Sequence, residues 1–124
     1  MSFSNHLENK LLDHVFGGAA YSPPSNIYVK LHTGNPGENG TSNAAGETTR
    51  QQATFGTASG GTISNNADIE WTNVSNTETI THISLWDHAT SGNCLGYGAL
   101  TTPRALTAGD NFIIKAGDLD VSLD

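Results

Sequence analysis

Apolar and polar residues alternate most clearly in the middle of the chain, between residues 79 and 100. An arm that ends at Trp86 and a second arm that begins near Leu95 are both rich in β-branched, aromatic and other apolar residues. Short runs of this composition are typical of β-strands. Residues 87–93 between the arms are polar and include a glycine and an asparagine, which suit a tight turn. The pattern predicts a β-hairpin at the centre of a small β domain.

Further short strands are predicted on both sides of this hairpin. Residues 27–33 alternate strictly between apolar and polar positions, and strands continue from about residue 27 to the C-terminus. Two of them, at residues 112–116 and 119–123, are expected to pair with each other around a turn. With seven or eight short antiparallel strands and one helix, the sequence predicts a mainly β fold. We expect a single-domain β-sandwich or small barrel over residues 1–124.

The N-terminal segment has a helical period instead. Apolar residues from Leu7 to Phe16 recur at intervals of three and four, and Asn5 followed by Glu8 resembles a capping box. Two glycines after Phe16 predict the helix end, so the helix spans about residues 5–16. Its apolar face is expected to pack on the domain's own sheet; the alternative is that it binds a neighbouring subunit.

A polar segment follows the strand at residues 27–33. Residues 34–49 contain four glycines, one proline and no large apolar residue. Loops of this length in a compact domain are usually functional or disordered. Two interpretations remain open: a partner-binding arm, or a surface loop without a binding role.

Charge and composition narrow the possible partners. The 124 residues suffice for one domain, and 5 basic against 12 acidic residues give a formal net charge of −7. Phosphate recognition requires clustered cations, so we expect neither nucleic acid nor an anionic membrane as a partner. The basic residues are scattered along the sequence: Lys10, Lys30, Arg50, Arg104 and Lys115.

Targeting and redox signals are also missing from the sequence. The start of the chain lacks a basic stretch followed by an apolar run, and no run approaches the roughly 18 apolar residues of a membrane span. The single cysteine, Cys94, excludes an intrachain disulfide, and we expect it to be buried in a strand. We therefore expect the chain to fold in a cytoplasm.

Candidate catalytic and metal-ligating groups are sparse. The five histidines lack a ligand spacing, and the adjacent Asp87 and His88 point to opposite faces if the chain is extended. Alternating acids such as Asp68 and Glu70 are typical of a solvated strand face. We expect no enzymatic activity and no catalytic, cofactor or metal site. An aromatic platform for carbohydrate is a weaker alternative, and its candidates are Trp71, Trp86, Tyr97 and Phe112.

Several motifs together resemble a known family. They include S-N-x-x-E-N-x-L-L-D at residues 4–13, L-H-T-x-x-P-G-E-x-G at 31–40, R-Q at 50–51 and S-L-W-D at 84–87. Further matches are F-G-x-A-S-G-G at 55–61, S-G-N-x-L at 91–95, G-A-L-T-T-P at 98–103 and A-G-D at 108–110. The chain resembles small virion proteins of tailed bacteriophages, which are described as tail-fibre-like and in some phages decorate the capsid.

The resemblance implies a virion structural protein assembled in the host cytoplasm. A compact domain without a shaft favours a capsid decoration (cement) protein that stabilises the shell as a homo-oligomer on the major capsid protein or other virion proteins. The alternative is a tail-fibre or tail-tip protein that recognises a host receptor or glycan. The helix and the loop at residues 34–49 are the expected contact regions, with candidate residues Leu7, Leu11, Asn35, Pro36, Asn39 and Thr41.

Overall fold

The computed structural model describes residues 1–123 and confirms a mainly β fold with one N-terminal helix. The helix, α1, spans Asn5–Val15. The strands are β1 (Ser2–Phe3), β2 (Ile27–His32), β3 (Gln51–Ala53), β4 (Thr62–Ser64), β5 (Ile69–Trp71), β6 (Glu78–Trp86), β7 (Cys94–Leu106), β8 (Phe112–Ile114) and β9 (Asp120–Ser122). The strand that the sequence did not predict is β1, whose two residues are too few to show an alternating pattern.

The predicted central hairpin is confirmed as β6 and β7. These strands lie in a five-stranded antiparallel sheet with the order β1-β7-β6-β2-β3. Two smaller sheets, β4-β9 and β5-β8, complete the strands of residues 1–123. The result is a sandwich-like arrangement of open sheets, as the sequence predicted.

One face of the large sheet carries the hydrophobic core. Val29 pairs with Leu85 and Leu31 pairs with Ile83, and side chains of directly paired residues lie on the same face. These four residues are at most 5% exposed and belong to one buried cluster with Ile69, Trp71 and Phe112 from the β5-β8 sheet. The alternation predicted for residues 27–33 is therefore confirmed on its apolar side.

The opposite face of the same strands is polar, yet part of it is also buried. Tyr28 pairs with Trp86 and Lys30 pairs with Ser84, with His32 next along the face. His32 and Ser84 are fully buried and Trp86 is 6% exposed. The polar face therefore lies beneath another part of the chain, which is the segment between β2 and β3.

The expected pairing of the two C-terminal strands is wrong. β8 pairs with β5, so that Phe112 lies opposite Trp71, and β9 pairs with β4. The buried side chain of Asn65 accepts hydrogen bonds from the backbone N–H groups of Gly117 (3.1 Å) and Leu119 (2.9 Å). This anchored connection sends the two strands to different partners, which an alternating pattern cannot reveal.

Two local details also differ from the sequence prediction. The N-cap of α1 is Ser4, whose hydroxyl accepts a hydrogen bond from the Leu7 N–H at 3.2 Å, and not Asn5. β7 continues through residues 101–103, where a break was expected. The register with β6 shifts there, and Pro103 lies in the irregular part, where its missing N–H removes no ladder bond.

Two phenylalanines provide a matched test of which apolar surface stabilises the fold. Phe112 is 2% exposed and its ring stacks on Trp71 with centroids 5.5 Å apart, whereas Phe16 is 82% exposed. We expect Phe112→Ala to lower the free energy of unfolding by about 3–5 kcal/mol, because it removes buried apolar surface and leaves a cavity. Phe16→Ala should change it by no more than about 0.5 kcal/mol.

The measurement is urea unfolding of both variants beside the wild type. A large loss of stability in Phe16→Ala would show that the end of the helix belongs to the core after all.

Candidate partner-binding surface

The segment between β2 and β3 is an ordered loop. Its two ends are tied together where the Thr33 N–H donates to the Asn43 carbonyl (2.9 Å) and the Ala45 N–H donates to the Leu31 carbonyl (3.0 Å). Within it, the Asn43 side chain donates to the Asn35 carbonyl at 2.9 Å. The structure therefore shows a loop with a defined conformation and not a disordered segment.

A buried polar network fixes this loop on the sheet. The Ser84 hydroxyl lies 2.7 Å from His32 Nε2 and accepts a hydrogen bond from Trp86 Nε1, also at 2.7 Å. His32 Nδ1 lies 2.9 Å from the Ser42 carbonyl oxygen of the loop. A carbonyl oxygen only accepts, so Nδ1 carries the proton and Ser84 donates to Nε2. Every polar atom of the network has a partner when His32 is neutral.

The surroundings of His32 disfavour its charged form. Burial lowers the pKa of His32 below its ordinary value of 6.5, and Lys30 and His82 lower it further by repulsion. The hydrogen bond to the Ser42 carbonyl opposes this shift in part. A protonated His32 would also leave the Ser84 hydroxyl hydrogen without its acceptor.

A close approach of backbone and side chains needs glycine in the loop. Gly40 has φ +69°, and a Cβ atom there would lie 2.6 Å from Cys94 Sγ and 2.9 Å from Trp86 Cζ2. Cys94 is buried, as expected, and burial raises the pKa of its thiol to about 11. Trp86 and Cys94 thus form a small packed region under the loop, on the side of the sheet opposite the main core.

Glu38 joins the loop to the N-terminal helix. Its Oε1 accepts a hydrogen bond from the Tyr97 hydroxyl at 3.0 Å. The Asn5 amide nitrogen, turned toward the carboxylates, donates to Glu38 Oε2 at 3.2 Å and to Glu8 Oε1 at 3.1 Å. The start of α1 and the tip of the loop therefore share one surface.

The structure brings several of the predicted contact residues together. Asn39 and Thr41 are exposed and line a cavity of about 290 Å³ with His6 of α1 and Asn93 of the β6-β7 turn. Asn35 is exposed at the base of the loop. Pro36 is buried within the protomer and accepts, through its carbonyl, the Ser42 N–H at 3.0 Å. Pro36 therefore shapes the loop and presents no side-chain surface to a partner in this conformation.

The helix divides into a packed start and an uncovered end. Leu7 is partly buried against the core, and Leu11 is intermediate in exposure. Beyond them, the last turn exposes three large apolar side chains: Leu12 (56%), Val15 (58%) and Phe16 (82%). Packing on the domain's own sheet is thus confirmed only for the first turn. The residues at the uncovered end belong to the predicted apolar face of the helix but not to the predicted contact residues, although the length of the periodic stretch was a signal for them.

The aromatic platform considered for carbohydrate does not form. Trp71 and Phe112 are in the main core, and Trp86 lies beneath the loop at 6% exposure. Only Tyr97 of that set is partly exposed, and its hydroxyl is bonded to Glu38. Stacking of a sugar on the tryptophans is therefore excluded in this conformation.

Metal sites and membrane-spanning helices are both absent from residues 1–123. No group of three or more His, Cys, Asp or Glu side chains in this part of the chain is placed to hold a metal ion. None of its helices is long and apolar enough to span a membrane.

The chain forms a small β-rich domain. Residues 2–122 match the family described as "Podophage GP4 fiber I protein gp80". The match covers nearly the whole chain, so the chain belongs to this family of tailed-phage virion proteins. No curated protein matches the sequence. The chain is a structural component of a phage virion, as its motifs implied.

The neutral state of His32 makes stability depend on pH. The pKa of His32 is lowered in the folded state, so between that value and 6.5 the unfolded chain binds more protons. The stability that neutral His32 contributes is fully present above pH 6.5. It is lost as the pH falls from 6.5 through the lowered pKa of His32. His32→Gln should lower the free energy of unfolding by about 1–3 kcal/mol at pH 7.5 and flatten its dependence on pH below 6.5.

Urea unfolding between pH 7.5 and 5 measures both effects. The same substitution at His14, on the exposed side of α1, is the matched control. An unaltered slope in His32→Gln would mean that other groups cause the acid sensitivity.

Proposed function

We propose that the protein attaches to neighbouring virion proteins through the last turn of α1. The observation that carries this proposal is the exposure of Leu12, Val15 and Phe16 side by side at the end of the helix. Burying one large apolar side chain contributes about 1.5–3 kcal/mol. Three of them in one interface supply a substantial part of a stable association.

An apolar groove beside the first turn of α1 supports this proposal. Phe3, Leu7, Pro24, Phe55 and Val121 are among its lining residues, and its volume is about 320 Å³. Leu7 of this groove and the three exposed residues belong to the same helix, α1. A partner that covers the groove would bury apolar surface that the protomer itself leaves in water.

For the position on the virion, we propose the capsid exterior, where the protein acts as a decoration protein on the major capsid protein. The compact β unit of residues 1–123 and its acidic surface suit a clamp between capsomers, in the form of a symmetric homo-oligomer. Binding that occurs only on the assembled shell stabilises that shell by mass action. In this role the protein is assembled in the host cytoplasm, acts by binding and not by catalysis, and contacts neither nucleic acid nor membrane.

A second candidate is a fibre component at the tail. It is favoured by the family description, which names a fibre. The attachment surface would then bind another tail protein and leave the loop at residues 34–49 directed outward. Burial of Trp71 and Trp86 means that host recognition in this role would depend on polar loop residues.

Phage carrying Phe16→Ser tests the attachment surface. We expect the variant protein to fold as the wild type does and its copies per purified virion to fall, because losing about 1.5–3 kcal/mol of buried apolar contact raises the dissociation constant at least about tenfold. Lys10→Ser is the matched control, because Lys10 is exposed on the same helix but is not one of the three exposed apolar side chains. Quantitative mass spectrometry against the major capsid protein measures the copy number.

The wild-type copy number separates the two positions. Hundreds of copies per virion support the capsid exterior, and a small multiple of three or six supports the tail. Normal incorporation of Phe16→Ser would contradict the attachment surface, and absence of the wild-type protein from the virion would contradict both positions.

A further inference from the structure

Two cations that are distant in sequence meet in one cleft. Lys30 on β2 and Arg50 just before β3 line a cavity of about 580 Å³ together with Thr48, Thr49, Ala89 and Thr90. Thr48, Thr49 and Thr90 add hydroxyl groups to the cavity, and Ala89 and Thr90 belong to the turn between β6 and β7. We call this cavity the Lys30–Arg50 cleft.

The Arg50 guanidinium is held in place before any ligand arrives. Its Nη1 donates to the carbonyl oxygens of His88 (2.9 Å) and Ser91 (2.8 Å). Its Cζ lies 4.0 Å from the centroid of the Trp86 ring, a cation–π distance. Both hydrogen bonds use Nη1, so the Nε and Nη2 donors are not consumed by them. Such preorganisation lowers the entropy that a ligand must lose on binding.

Neither cation of this cleft forms an ion pair within residues 1–123, where the ion pair found is Lys115–Asp68. Asp87 acts on Arg50 through its charge only, since the hydrogen bonds that its carboxylate accepts come from the Asn93 N–H (2.7 Å) and side chain (3.3 Å). Burial and then repulsion by Arg50 lower the pKa of Lys30, as expected for two cations without a shared anion.

We propose that the Lys30–Arg50 cleft binds a carboxylate of an acidic segment in a neighbouring virion protein. The proposal rests on the proposed attachment to virion proteins and adds a second, polar contact to it. An acidic partner would be repelled by the net charge of −7 of the chain as a whole and attracted where these two cations meet. The cleft would thus fix the orientation in which the partner docks. A stacked sugar is a poorer occupant, because the Trp86 ring is covered by Arg50.

Nuclear magnetic resonance titration of the isolated protein with a short oligoglutamate peptide at low ionic strength tests the site. Saturable shifts should cluster at Lys30, Thr48, Thr49, Arg50 and Thr90. Lys30→Gln should weaken binding roughly three- to tenfold, the loss expected for one close charge contact. Lys10→Gln removes the same charge from the exposed helix and should leave the affinity unchanged.

Arg50→Lys separates geometry from charge. It keeps the charge but loses the two-carbonyl anchor, so it should weaken binding as well, and the circular dichroism spectrum reports whether the turn still folds. Absence of saturable peptide binding, or equal weakening by Lys10→Gln and Lys30→Gln, would overturn the proposal.

Two further probes distinguish the ligand class. Tighter binding of inorganic phosphate or of an oligogalacturonate than of the peptide would overturn the acidic-segment assignment in favour of a phosphate or an acidic polysaccharide. All of these measurements use the isolated protein. Their failure is therefore distinguishable from failure of the attachment proposal, which is judged by copies per virion.

Discussion

The two hydrogen bonds of the Ser84 hydroxyl, with His32 and with Trp86, stabilise the polar face of the large sheet and the loop that covers it. Alternation along β2 and β6 places His32, Ser84 and Trp86 on the face of the sheet that points away from the main core. Polar groups on that face would normally be solvated. Here the loop covers them, and their burial without partners would cost about 1–3 kcal/mol each. The Ser84 hydroxyl is the hydrogen-bond partner of both His32 Nε2 and Trp86 Nε1. The loop can therefore cover this face without leaving either nitrogen unpaired.

This arrangement explains how a glycine-rich segment becomes a defined surface. The loop contributes little apolar area of its own, and its position comes from the His32–Ser42 hydrogen bond, the packing of Gly40 on Trp86, and Glu38 at the helix. Trp86 serves both sides, because its ring also supports Arg50 in the cleft. The loop tip, the start of α1 and the Lys30–Arg50 cleft therefore all contact the β6-β7 hairpin. Preorganised sites lose less entropy on binding.

The sequence could predict those parts of the fold that depend on local periodicity. The hairpin, the β2 strand and the helix were visible because apolar residues recur at intervals of two or of three and four. The pairing of β8 and β9 was not visible, since their partners depend on the hydrogen bonds of Asn65 to residues 52 and 54 positions away. The loop and the helix stay predicted contact regions. The burial of Pro36, the exposure of Phe16 and the meeting of Lys30 with Arg50 are consequences of tertiary contacts.

Native-state hydrogen exchange tests the role of the buried network most directly. The amides of Gly40, Ser42 and Ala45 donate to backbone carbonyls in the closed loop. If Ser84 holds the loop, these amides are protected in the wild type, and Ser84→Ala speeds their exchange more than tenfold while the Val29 and Leu31 amides change only as global stability does. Exchange of the loop amides at unfolded-peptide rates in the wild type, or equal protection in Ser84→Ala, would contradict this account.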